Sequence, residues 1–572
     1  MSLFERITNI SPVVSKVLRL MTRRQKVLLS LMLALTIGFS FVETVGISAI
    51  MPFISIVSDP ALLQSGVLKT INDFFSFESP EQFIITMGIG IIIFYIFRAF
   101  YLIMLTFSMN RFSFSLYKYF SKKIFKVNLS IPYKTFTLKN SAEQMHAITV
   151  ETLSTSKTIL NFLQLCSEFF TIIMIYAVIV FLNWKMTLVI SVILLLLVIT
   201  LLSVLSKISS AQGKRKYVYS RKMNRTLKET LGNLKFIKLK GNEDAILRGF
   251  GNEINISTNS EAINNVIGII PKGILESLGF SFLIAVVVFI VWVYRDASMV
   301  IPIISMYALA LFRILPSTHR LMQNVNNMAY YDKTLQSVTE NINQTIEEAG
   351  SSDFQFKRSI RLENVNFNYL TGNFHISDVS LEIKKGEKVA FIGESGSGKS
   401  TLVDILIGLH KPVSGKLYVD DTEINDSNIR SWRKKIGYIP QSIYLFDGTV
   451  AENVSFGSEP DNGKIKTALE KANIWDFLLK KEGLNTLVGD GGIQLSGGQL
   501  QRIGIARALY DDPEVLVLDE ATSALDTETE QKIMDEIYNV SANKTLIVIA
   551  HRLTTVERCD RKICIENGEI IL

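Results

Sequence analysis

Cysteine is scarce in this sequence of 572 residues, which has only Cys166, Cys559 and Cys564. No two of them have the spacing of metal ligands, and three cysteines in a chain of this length do not make a disulfide framework. The sequence therefore supports neither a zinc site nor a fold held together by disulfides.

A cleavable signal peptide is also lacking. The first apolar run, Val27–Val57, is too long for one and has no small-residue cleavage site. Apolar sequence, in contrast, is abundant: 48% of the residues are hydrophobic and the mean hydropathy is +0.28, yet 20% of the residues are charged. This mixture indicates a membrane part joined to a soluble part.

Six long apolar runs lie in the first 322 residues. Each can cross the hydrocarbon core of a membrane, which is roughly 30 Å thick and takes about 20 helical residues, and the last run is the shortest. The runs are Val27–Val57, Phe83–Phe107, Ile159–Leu182, Met186–Leu205, Ile267–Tyr294 and Met299–Leu315. We predict an all-α transmembrane domain with six helices over residues 1–322.

Lysine and arginine are unequally divided among the loops of this domain. The stretch before the first span and the loops after the second and fourth spans are rich in both, whereas Ser58–Gln82 has only Lys69. The positive-inside rule therefore places both termini and the two basic loops in the cytoplasm, with the spans in the inner (plasma) membrane. The net charge of +7 then reflects topology, and we expect membrane lipids rather than nucleic acid as partners.

The rest of the sequence changes character. Residues 323–352 are polar and helix-prone until Ser351 and Ser352 break the pattern, which predicts a linker followed by a soluble domain over residues 353–572. In this domain strand-like runs alternate with helical stretches, as in an α/β fold. The clearest strand-like runs are Val389–Ile392, Leu516–Leu518 and Thr545–Ile549.

A glycine-rich loop directly follows the first of these runs and matches the P-loop pattern G-x-x-x-x-G-K-[ST]. Its glycines let backbone N–H groups approach phosphates, while Lys399 neutralises their charge and the Ser400 hydroxyl can bind magnesium. The helix that follows adds a favourable field at its N-terminus. An ordinary glycine turn is the alternative, which the complete spacing and the strand–loop–helix context disfavour. The predicted phosphate-binding residues are Gly393, Glu394, Ser395, Gly396, Ser397, Gly398, Lys399, Ser400 and Thr401.

Two carboxylates, Asp519 and Glu520, end the second run. An aspartate at the end of a strand suits the magnesium shell, and the neighbouring carboxylate can polarise the attacking water. His551 follows the third run, where it can reach the γ-phosphate. Such residues also occur for structural reasons, but here they accompany a P-loop.

Leu495-Ser-Gly-Gly-Gln499 resembles the signature of the ATP-binding-cassette (ABC) ATPases. Other motifs of that family occur in the family's order. Tyr369 resembles the A-loop aromatic that stacks on adenine, Gln441 the Q-loop residue, Ser523–Asp526 the D-loop, His551 the H-switch, and Val488–Gly492 the X-loop, in which Asp490-Gly491 replaces the usual Glu-Arg.

The resemblance implies an ATPase that uses ATP and Mg²⁺ and couples hydrolysis to transport. The metal would be held by Ser400, Gln441 and Asp519. In this family each nucleotide lies between the P-loop of one cassette and the signature of another, here Ser496, Gly497, Gly498 and Gln499. The chain has one cassette, so the resemblance implies a homodimer with two composite sites, of the domain-swapped type IV exporter kind. Asn128–Thr137 and Leu234–Asn242 are the predicted coupling helices that contact the cassettes.

Some stretches of the spans are similar to PglK-type flippases, which move a polyprenyl-pyrophosphate oligosaccharide from the cytoplasmic to the outer leaflet. These stretches are Phe41–Val45, Met51–Ser58, Phe94–Ala99 and Leu311–Pro316. The resemblance implies a lipid-linked oligosaccharide as substrate, and an outer-surface helix over Ala61–Phe77 for the polyprenyl tail. A structural cap is the alternative for that segment.

Charges inside membrane spans are costly and usually functional. Arg98 lies fifteen residues into the second span, about 22 Å at 1.5 Å per residue, Arg313 lies almost as deep in the sixth, and Lys272 is near the cytoplasmic end of the fifth. Arginine binds phosphate in a bidentate manner, so we expect these three cations to bind a pyrophosphate headgroup. The alternatives are snorkelling, or ion pairs with Glu43 or Glu276.

Two other functions remain open. The chain could export another cargo, such as lipid A, a phospholipid, a peptide or a drug, or it could be a channel or regulator that uses the cassette as a switch. Intact Glu520 disfavours the second of these, and the cations favour an anionic amphiphile over a neutral drug.

Overall fold

The computed structural model describes residues 15–58, 60, 63, 77, 79–182, 184–294, 301–369, 375–519, 527–550 and 556–571. The chain forms two compact units. The first comprises Met1–Leu129 and Lys139–Gln344, and the second comprises Ser130–Leu138 and Thr345–Leu572.

The first unit is helical. Five of the predicted spans each lie within one long helix, and the described part of the sixth, from Ile301, lies on another. The helices are α1 (Arg23–Ser58), α2 (Pro80–Ser130), α3 (Thr152–Leu182), α4 (Trp184–Gly232), α5 (Glu243–Tyr294) and α6 (Ile301–Ile342). Shorter elements are the helices Ser141–His146 and Leu234–Lys240 and a π-helical turn over Ala147–Glu151. The prediction of a helical membrane domain is thus confirmed.

Several helices are much longer than a membrane requires. Helix α2 has 51 residues, about 75 Å at 1.5 Å per residue, against a hydrocarbon core of about 30 Å. Only the apolar half of such a helix gives a membrane signal, and its polar half continues the same helix. Within the described residues, four stretches qualify as spans by length and composition alone: Arg23–Ile54, Pro80–Ser130, Ser141–Phe181 and Leu194–Gly232.

The apolar side chains of α2 face outwards. Ile92, Ile93, Ile96 and Ile103 are each more than 60% exposed in the isolated chain. A contiguous apolar surface of this kind is suited to lipid, since soluble proteins rarely expose large apolar patches. The helix therefore has the surface of a membrane span.

Helices α4 and α6 approach each other very closely at Gly213. A Cβ atom built on Gly213 would lie 1.9 Å from the carbonyl oxygen of Tyr330. Only glycine allows the two backbones to come this near.

The predicted linker, residues 323–352, is helical in its first part. Helix α6 continues without a break to Ile342, and the first unit ends at Gln344. The helix-prone composition of this stretch thus corresponds to the end of a long helix. The second unit also includes Ser130–Leu138, which contains the short helix Tyr133–Phe136.

The second unit is an α/β cassette with two sheets. Its strands are β1 (Ser359–Asn368), β2 (His375–Lys384), β3 (Lys388–Ile392), β4 (Ser414–Val419), β5 (Thr422–Glu423), β6 (Ile436–Ile439), β7 (Val515–Asp519), β8 (Thr545–Ile549), β9 (Arg561–Glu566) and β10 (Glu569–Ile571). One sheet is antiparallel, in the order β2-β1-β4-β5. The other has the order β10-β9-β3-β8-β7-β6 and is parallel except for β10.

The three strands predicted from sequence are the centre of the parallel sheet. Strands β3, β7 and β8 are apolar along their length because both faces of the sheet are covered. Alternate residues of each strand enter opposite cores: Phe391, Val517 and Ile547 pack on one side, and Ala390, Leu516 and Leu546 on the other.

Helices cover this sheet. The three that concern the site are α7 (Lys399–Leu406), α8 (Gly497–Leu509) and α9 (Thr527–Val540). The remaining α-helices are Ile429–Arg433, Val450–Val454, Asn462–Lys471 and Trp475–Leu479, with 3₁₀ turns at Gly483–Asn485 and Asp490–Gly492.

Candidate nucleotide and membrane sites

The parallel sheet collects the predicted catalytic motifs at one edge. Strands β3, β6, β7 and β8 run in the same direction, so their carboxyl ends share an edge of the sheet. The P-loop follows β3, Gln441 comes two residues after β6 ends, and Asp519 is the last residue of β7. Ligands of open α/β sheets bind at this edge.

Glycines shape the P-loop because its backbone takes conformations that other residues resist. Gly393 has a φ of 147°, and a Cβ there would lie 2.2 Å from the carbonyl oxygen of Ile565. Gly398 has a φ of 111° and is the N-cap of α7. The loop can therefore pass close to strand β9 and turn directly into a helix whose N-terminus favours anions.

Lys399 lies inside this loop and not at the surface. It is 5% exposed, and its Nζ donates to the carbonyl oxygens of Gly393 (2.9 Å) and Glu394 (2.7 Å). A buried ammonium needs such acceptors, since an unpaired buried charge is very costly. Phosphate oxygens would be stronger acceptors for the same group, because charge-assisted hydrogen bonds are stronger than neutral ones.

Tyr369 stands beside the helix that follows the P-loop. Its hydroxyl is 3.0 Å from Thr401 Oγ1, and its ring makes an edge contact with Phe367 at 5.2 Å between centroids. The two motif residues are 32 positions apart in sequence and meet through the fold.

Asp519 has a neighbour that the motifs did not reveal. The hydroxyl of Tyr438, on β6, donates to Asp519 Oδ2 at 2.8 Å. Burial, followed by the hydrogen bond to Asp519 and the charge of that carboxylate, raises the pKa of Tyr438 far above its usual value of 10, so the phenol stays a donor. Tyrosine has no fixed place in the nucleotide-binding motifs, and only the pairing of β6 with β7 brings it here.

The predicted metal ligands form a suitable donor set. Ser400, Gln441 and Asp519 offer hydroxyl, amide and carboxylate oxygens, which are the hard ligands that Mg²⁺ prefers. Ser400 lies in the first turn of α7, and Gln441 is exposed beyond β6. The residues present thus fit a magnesium ion carried by a nucleotide.

The signature segment starts a helix. Ser496 caps α8 with its side chain, which accepts from Gln499 N, while Gln499 Oε1 accepts from Ser496 N at 2.9 Å. This capping box is a sequence-encoded helix start. It fixes Gly497 and Gly498 in the first turn of a 13-residue helix. The helix therefore has a positive N-terminal end that could face a phosphate.

Several predicted residues lie outside the described part of the chain. Glu520, which comes directly after β7 in the sequence, and His551, which comes directly after Ala550, are among them. The segment Ser523–Asp526 is also outside the described part. Of the segment Ala61–Phe77, the structure describes only Leu63 and Phe77.

Val488–Gly492 is described: Val488, Gly489 and Gly492 are buried, whereas Asp490 and Gly491 are exposed. Here the Tyr444 hydroxyl donates to Asp490 Oδ1 at 3.2 Å. The Asp490 charge raises the pKa of that exposed tyrosine. The residue that replaces the family's usual glutamate thus has a local partner.

Among the predicted membrane cations, Arg98 has a partner within the protein. Its Nε and Nη2 donate to the two carboxylate oxygens of Glu43, both at 2.7 Å. Glu43 is 1% exposed and Arg98 side chain 22% exposed. Lys272 is exposed on α5, and Arg313 lies on α6 with its side chain outside the described part.

The pairing of Glu43 with Arg98 also fixes their relative depth. Glu43 lies sixteen residues beyond Val27 and Arg98 fifteen beyond Phe83, or about 24 Å and 22 Å from opposite ends of their apolar runs. These two lengths are nearly equal, which places both residues of the pair well inside their apolar runs. A second pair, Arg320 with Glu168, links α6 to α3 and was not predicted.

The first predicted coupling helix belongs to the cassette's compact unit. The Tyr133 ring lies 5.6 Å from that of His410, and Lys134 donates to the carbonyl oxygen of Asn368. The second, Leu234–Lys240, lies in the first unit and exposes Phe236 (58%) and Leu239 (78%).

These features define a P-loop ATPase cassette joined to a helical membrane domain. Comparison with known proteins agrees with this class: residues 376–523 match the ABC transporter family and residues 45–260 match the ABC transporter transmembrane region. The chain belongs to the ABC transporter family. It is a multi-pass membrane protein of the exporter type, and its ATPase activity is coupled to transport.

Curated relatives cover much of the chain. It is 30% identical over 465 residues to the heterocyst differentiation ATP-binding protein HepA of Nostoc sp., covering 79% of this chain and 74% of the relative. It is 32% identical over 411 residues to the ATP-dependent lipid A-core flippase of Burkholderia pseudomallei, covering 70% and 68%.

A solved structure has the same fold. A bacterial Atm1-family ABC exporter with ATP bound matches with a TM-score of 0.77 and 21% identity, over 96% of this chain and 94% of the other. This likeness supports the fold of the whole half-transporter.

Proposed function

We propose that a homodimer of this chain flips a lipid-linked oligosaccharide, a polyprenyl-pyrophosphate glycan, from the cytoplasmic to the outer leaflet. The observation that carries the proposal is the set of cations on membrane helices: Arg98 on α2, Lys272 on α5 and Arg313 on α6. Charges at such positions are usually functional, and a phosphorylated headgroup is the natural ligand of arginine and lysine.

Each ATPase residue has a role in the proposed cycle. Tyr369 would stack on the adenine, the P-loop backbone and Lys399 would hold the phosphates, and Ser400, Gln441 and Asp519 would hold the magnesium ion. Glu520 polarises the attacking water as the bond between the γ-phosphorus and the bridging oxygen breaks. His551 contacts the γ-phosphate.

A homodimer is proposed because the chain has one P-loop and one signature helix, and each nucleotide needs both. The second signature would be Ser496–Gln499 of another copy. The exposed apolar side chains of Leu234–Lys240 support this arrangement, since Phe236 and Leu239 would then be covered by the second chain's cassette. Two ATP molecules would close the cassettes and shift the helices to an outward-facing state, because ATP binds that state better.

A lipid A-core glycolipid is the second candidate cargo. The observation that favours it is the match to relatives named as lipid A-core flippases, over 70% of this chain in one case. Both cargoes are large phosphorylated amphiphiles, so the same cations would serve either. They differ in the lipid tail and in the glycan.

The test measures ATP-dependent flipping in proteoliposomes, with ATP hydrolysis followed in parallel. The substrates are a polyprenyl-pyrophosphate oligosaccharide, a lipid A-core glycolipid and a plain phospholipid. We expect the first to be flipped fastest. Faster flipping of the lipid A-core glycolipid would replace the proposed cargo with the second candidate.

Variants Arg98→Ala, Lys272→Ala and Arg313→Ala test the cations. Each should lower flipping by roughly ten- to a hundredfold, the loss of one hydrogen bond to a charged group, and Lys272→Ala and Arg313→Ala should have little effect on basal ATPase activity. Arg98→Ala also leaves Glu43 buried without its partner, so its flipping is compared with its ATPase activity at equal amounts of folded protein. Lys207→Ala, an exposed lysine of α4, is the matched control and should flip normally. Equal loss of flipping and ATPase activity would assign the residues to stability, and no loss would remove the support for an anionic headgroup.

A further inference from the structure

An aromatic cluster lies between the nucleotide site and the short helix Tyr133–Phe136. Its members are Tyr133, Phe367, Tyr369 and His410, all in the cassette's compact unit. His410 is the hub: its ring stacks on Phe367 at 4.9 Å, meets Tyr369 edge-on at 5.7 Å, and lies 5.6 Å from Tyr133. No motif of the sequence singled out His410.

His410 is buried although its two ring nitrogens are poorly hydrogen-bonded. The residue is 3% exposed, and its Nδ1 has no hydrogen-bond partner among the described residues. Its Nε2 lies 3.8 Å from Asp404 Oδ2, beyond hydrogen-bond distance. An unsatisfied buried nitrogen has a free-energy cost that an apolar residue of similar size would avoid. The imidazole is therefore present for its planar ring and position more than for stability.

Burial and the nearby Lys134 ammonium lower the pKa of His410 to about 4. At neutral pH the ring is uncharged, which suits a position among aromatic rings. Burial also raises the pKa of Asp404 to about 7, so this carboxyl is only partly ionised at neutral pH, and at 3.8 Å it does little to hold a proton on His410.

The cluster is anchored at both of its ends. On the nucleotide side, the Tyr369 hydroxyl is bonded to Thr401 Oγ1, next to the P-loop. On the other side, Lys134 donates to the Asn368 carbonyl oxygen and lies 4.9 Å over the ring of Phe367. These contacts fix the short helix to the C-terminal end of β1, which Tyr369 directly follows.

We propose that His410 is a positioning residue that holds the Tyr369 ring for base stacking and transmits base occupancy to the helix Tyr133–Phe136. The proposal rests on the assignment of Tyr369 as the adenine platform. Packed rings cannot move independently, so a shift of Tyr369 when a base stacks on it must displace His410 and then Tyr133. The triphosphate alone, held by the P-loop, would not cause that shift.

The first experiment separates base binding from phosphate binding in the purified full-length transporter. His410→Leu keeps an apolar side chain but removes the ring, so Tyr369 should lose its orientation. We expect the KM for ATP to rise roughly tenfold, corresponding to about 1.4 kcal/mol of lost stacking. The inhibition constant of inorganic tripolyphosphate and the kcat should remain unchanged. His410→Phe, which restores a planar ring, should recover most of the affinity.

Phe356→Leu is the matched control. Phe356 is 2% exposed and its ring contacts that of Trp432 at 5.9 Å in the same unit, so its variant loses a buried ring outside the cluster and should keep the KM of the wild type. If His410→Leu weakens ATP and tripolyphosphate equally, or only lowers the melting temperature, His410 has a structural role and the proposal is wrong.

The second experiment tests the transmission step by hydrogen exchange of Tyr133–Phe136. In the wild type, ATP should change exchange in this helix while tripolyphosphate should not, and His410→Leu should abolish the difference. An unchanged ATP response in the variant would contradict the transmission. Tyr369→Ala tests the underlying assignment: if it leaves the KM for ATP unchanged, Tyr369 is not the adenine platform. If Tyr369→Ala raises the KM for ATP but the His410 variants do not, Tyr369 is still the adenine platform and only the inference about His410 fails.

Discussion

The cassette and the membrane unit differ in how far along the chain their key contacts reach. In the cassette, Lys399 is held by carbonyl oxygens five and six residues away, and the capping box of Ser496 spans three residues. In the membrane unit, the pair Arg98–Glu43 joins residues 55 apart, and Arg320–Glu168 joins residues 152 apart. Function that is local in sequence can be recognised as a motif, whereas function assembled from distant helices cannot.

The largest expected effect tests the local kind of site. Glu520→Gln should lower the kcat for ATP by roughly a thousandfold, because the amide cannot act as a general base, while leaving ATP binding intact. The measurements are steady-state ATPase activity and nucleotide binding. The control is Glu528→Gln, an exposed carboxylate at the start of α9, which should hydrolyse ATP normally. Wild-type turnover by Glu520→Gln would refute the assignment of the base.

The next effect tests the long-range kind of contact. Arg98→Met leaves the buried Glu43 carboxylate without its bidentate partner, and removing one member of a buried ion pair costs about 3–5 kcal/mol. We expect a clearly lower melting temperature for this variant in detergent or nanodiscs.

Replacing both members restores the balance. Glu43→Leu combined with Arg98→Leu should recover most of the lost stability, since no charge then remains buried alone. Lys207→Met, at an exposed position, should melt like the wild type. If Arg98→Met alone melts like the wild type, the pair does not stabilise the fold.

The sequence allowed different depths of prediction in the two units. Strands β3, β7 and β8 and the six spans were predicted because buried parallel strands and membrane helices are both continuous apolar runs. The ends of the helices were not, because the polar half of α2 and the stretch of α6 up to Ile342 carry no membrane signal although they continue the helix.

Partners were harder to predict than positions. Counting residues located Arg98 along its span but did not decide between Glu43 and the cargo as its partner, a choice that depends on how α1 and α2 pack. His410 and Tyr438 were missed for the same reason: neither has a motif, and each acquires its neighbours only when distant elements meet.

The smallest expected effect is the pH dependence of stability due to His410, a cassette residue whose ring contacts join distant parts of the sequence. The pKa of His410 falls from its ordinary 6.5 to about 4 because the ring is buried. Below pH 6.5 the His410 imidazole binds a proton in the unfolded chain, whereas in the folded chain it stays neutral until the pH approaches 4. Stability is therefore full above pH 6.5 and declines as the pH falls towards 4, by on the order of 3 kcal/mol.

Thermal unfolding of the wild type and of His410→Leu across this pH range measures the effect. The difference in melting temperature should change steadily in favour of the variant as the pH falls from 6.5 to 4, and stay constant above 7. A pH-independent difference would show that His410 takes up its proton in the folded state as readily as in the unfolded one.

The close approach at Gly213 has a mechanical consequence for transport. Sliding α4 along α6 by about one helical turn would bring Ser209 or Tyr217 to the carbonyl oxygen of Tyr330, and either residue has the Cβ that the space excludes. The close approach therefore resists translation of the two helices past each other and leaves rotation about this crossing. Rotation about this crossing would separate the two helices at one end as they converge at the other. Alternating access requires a reciprocal motion of this kind.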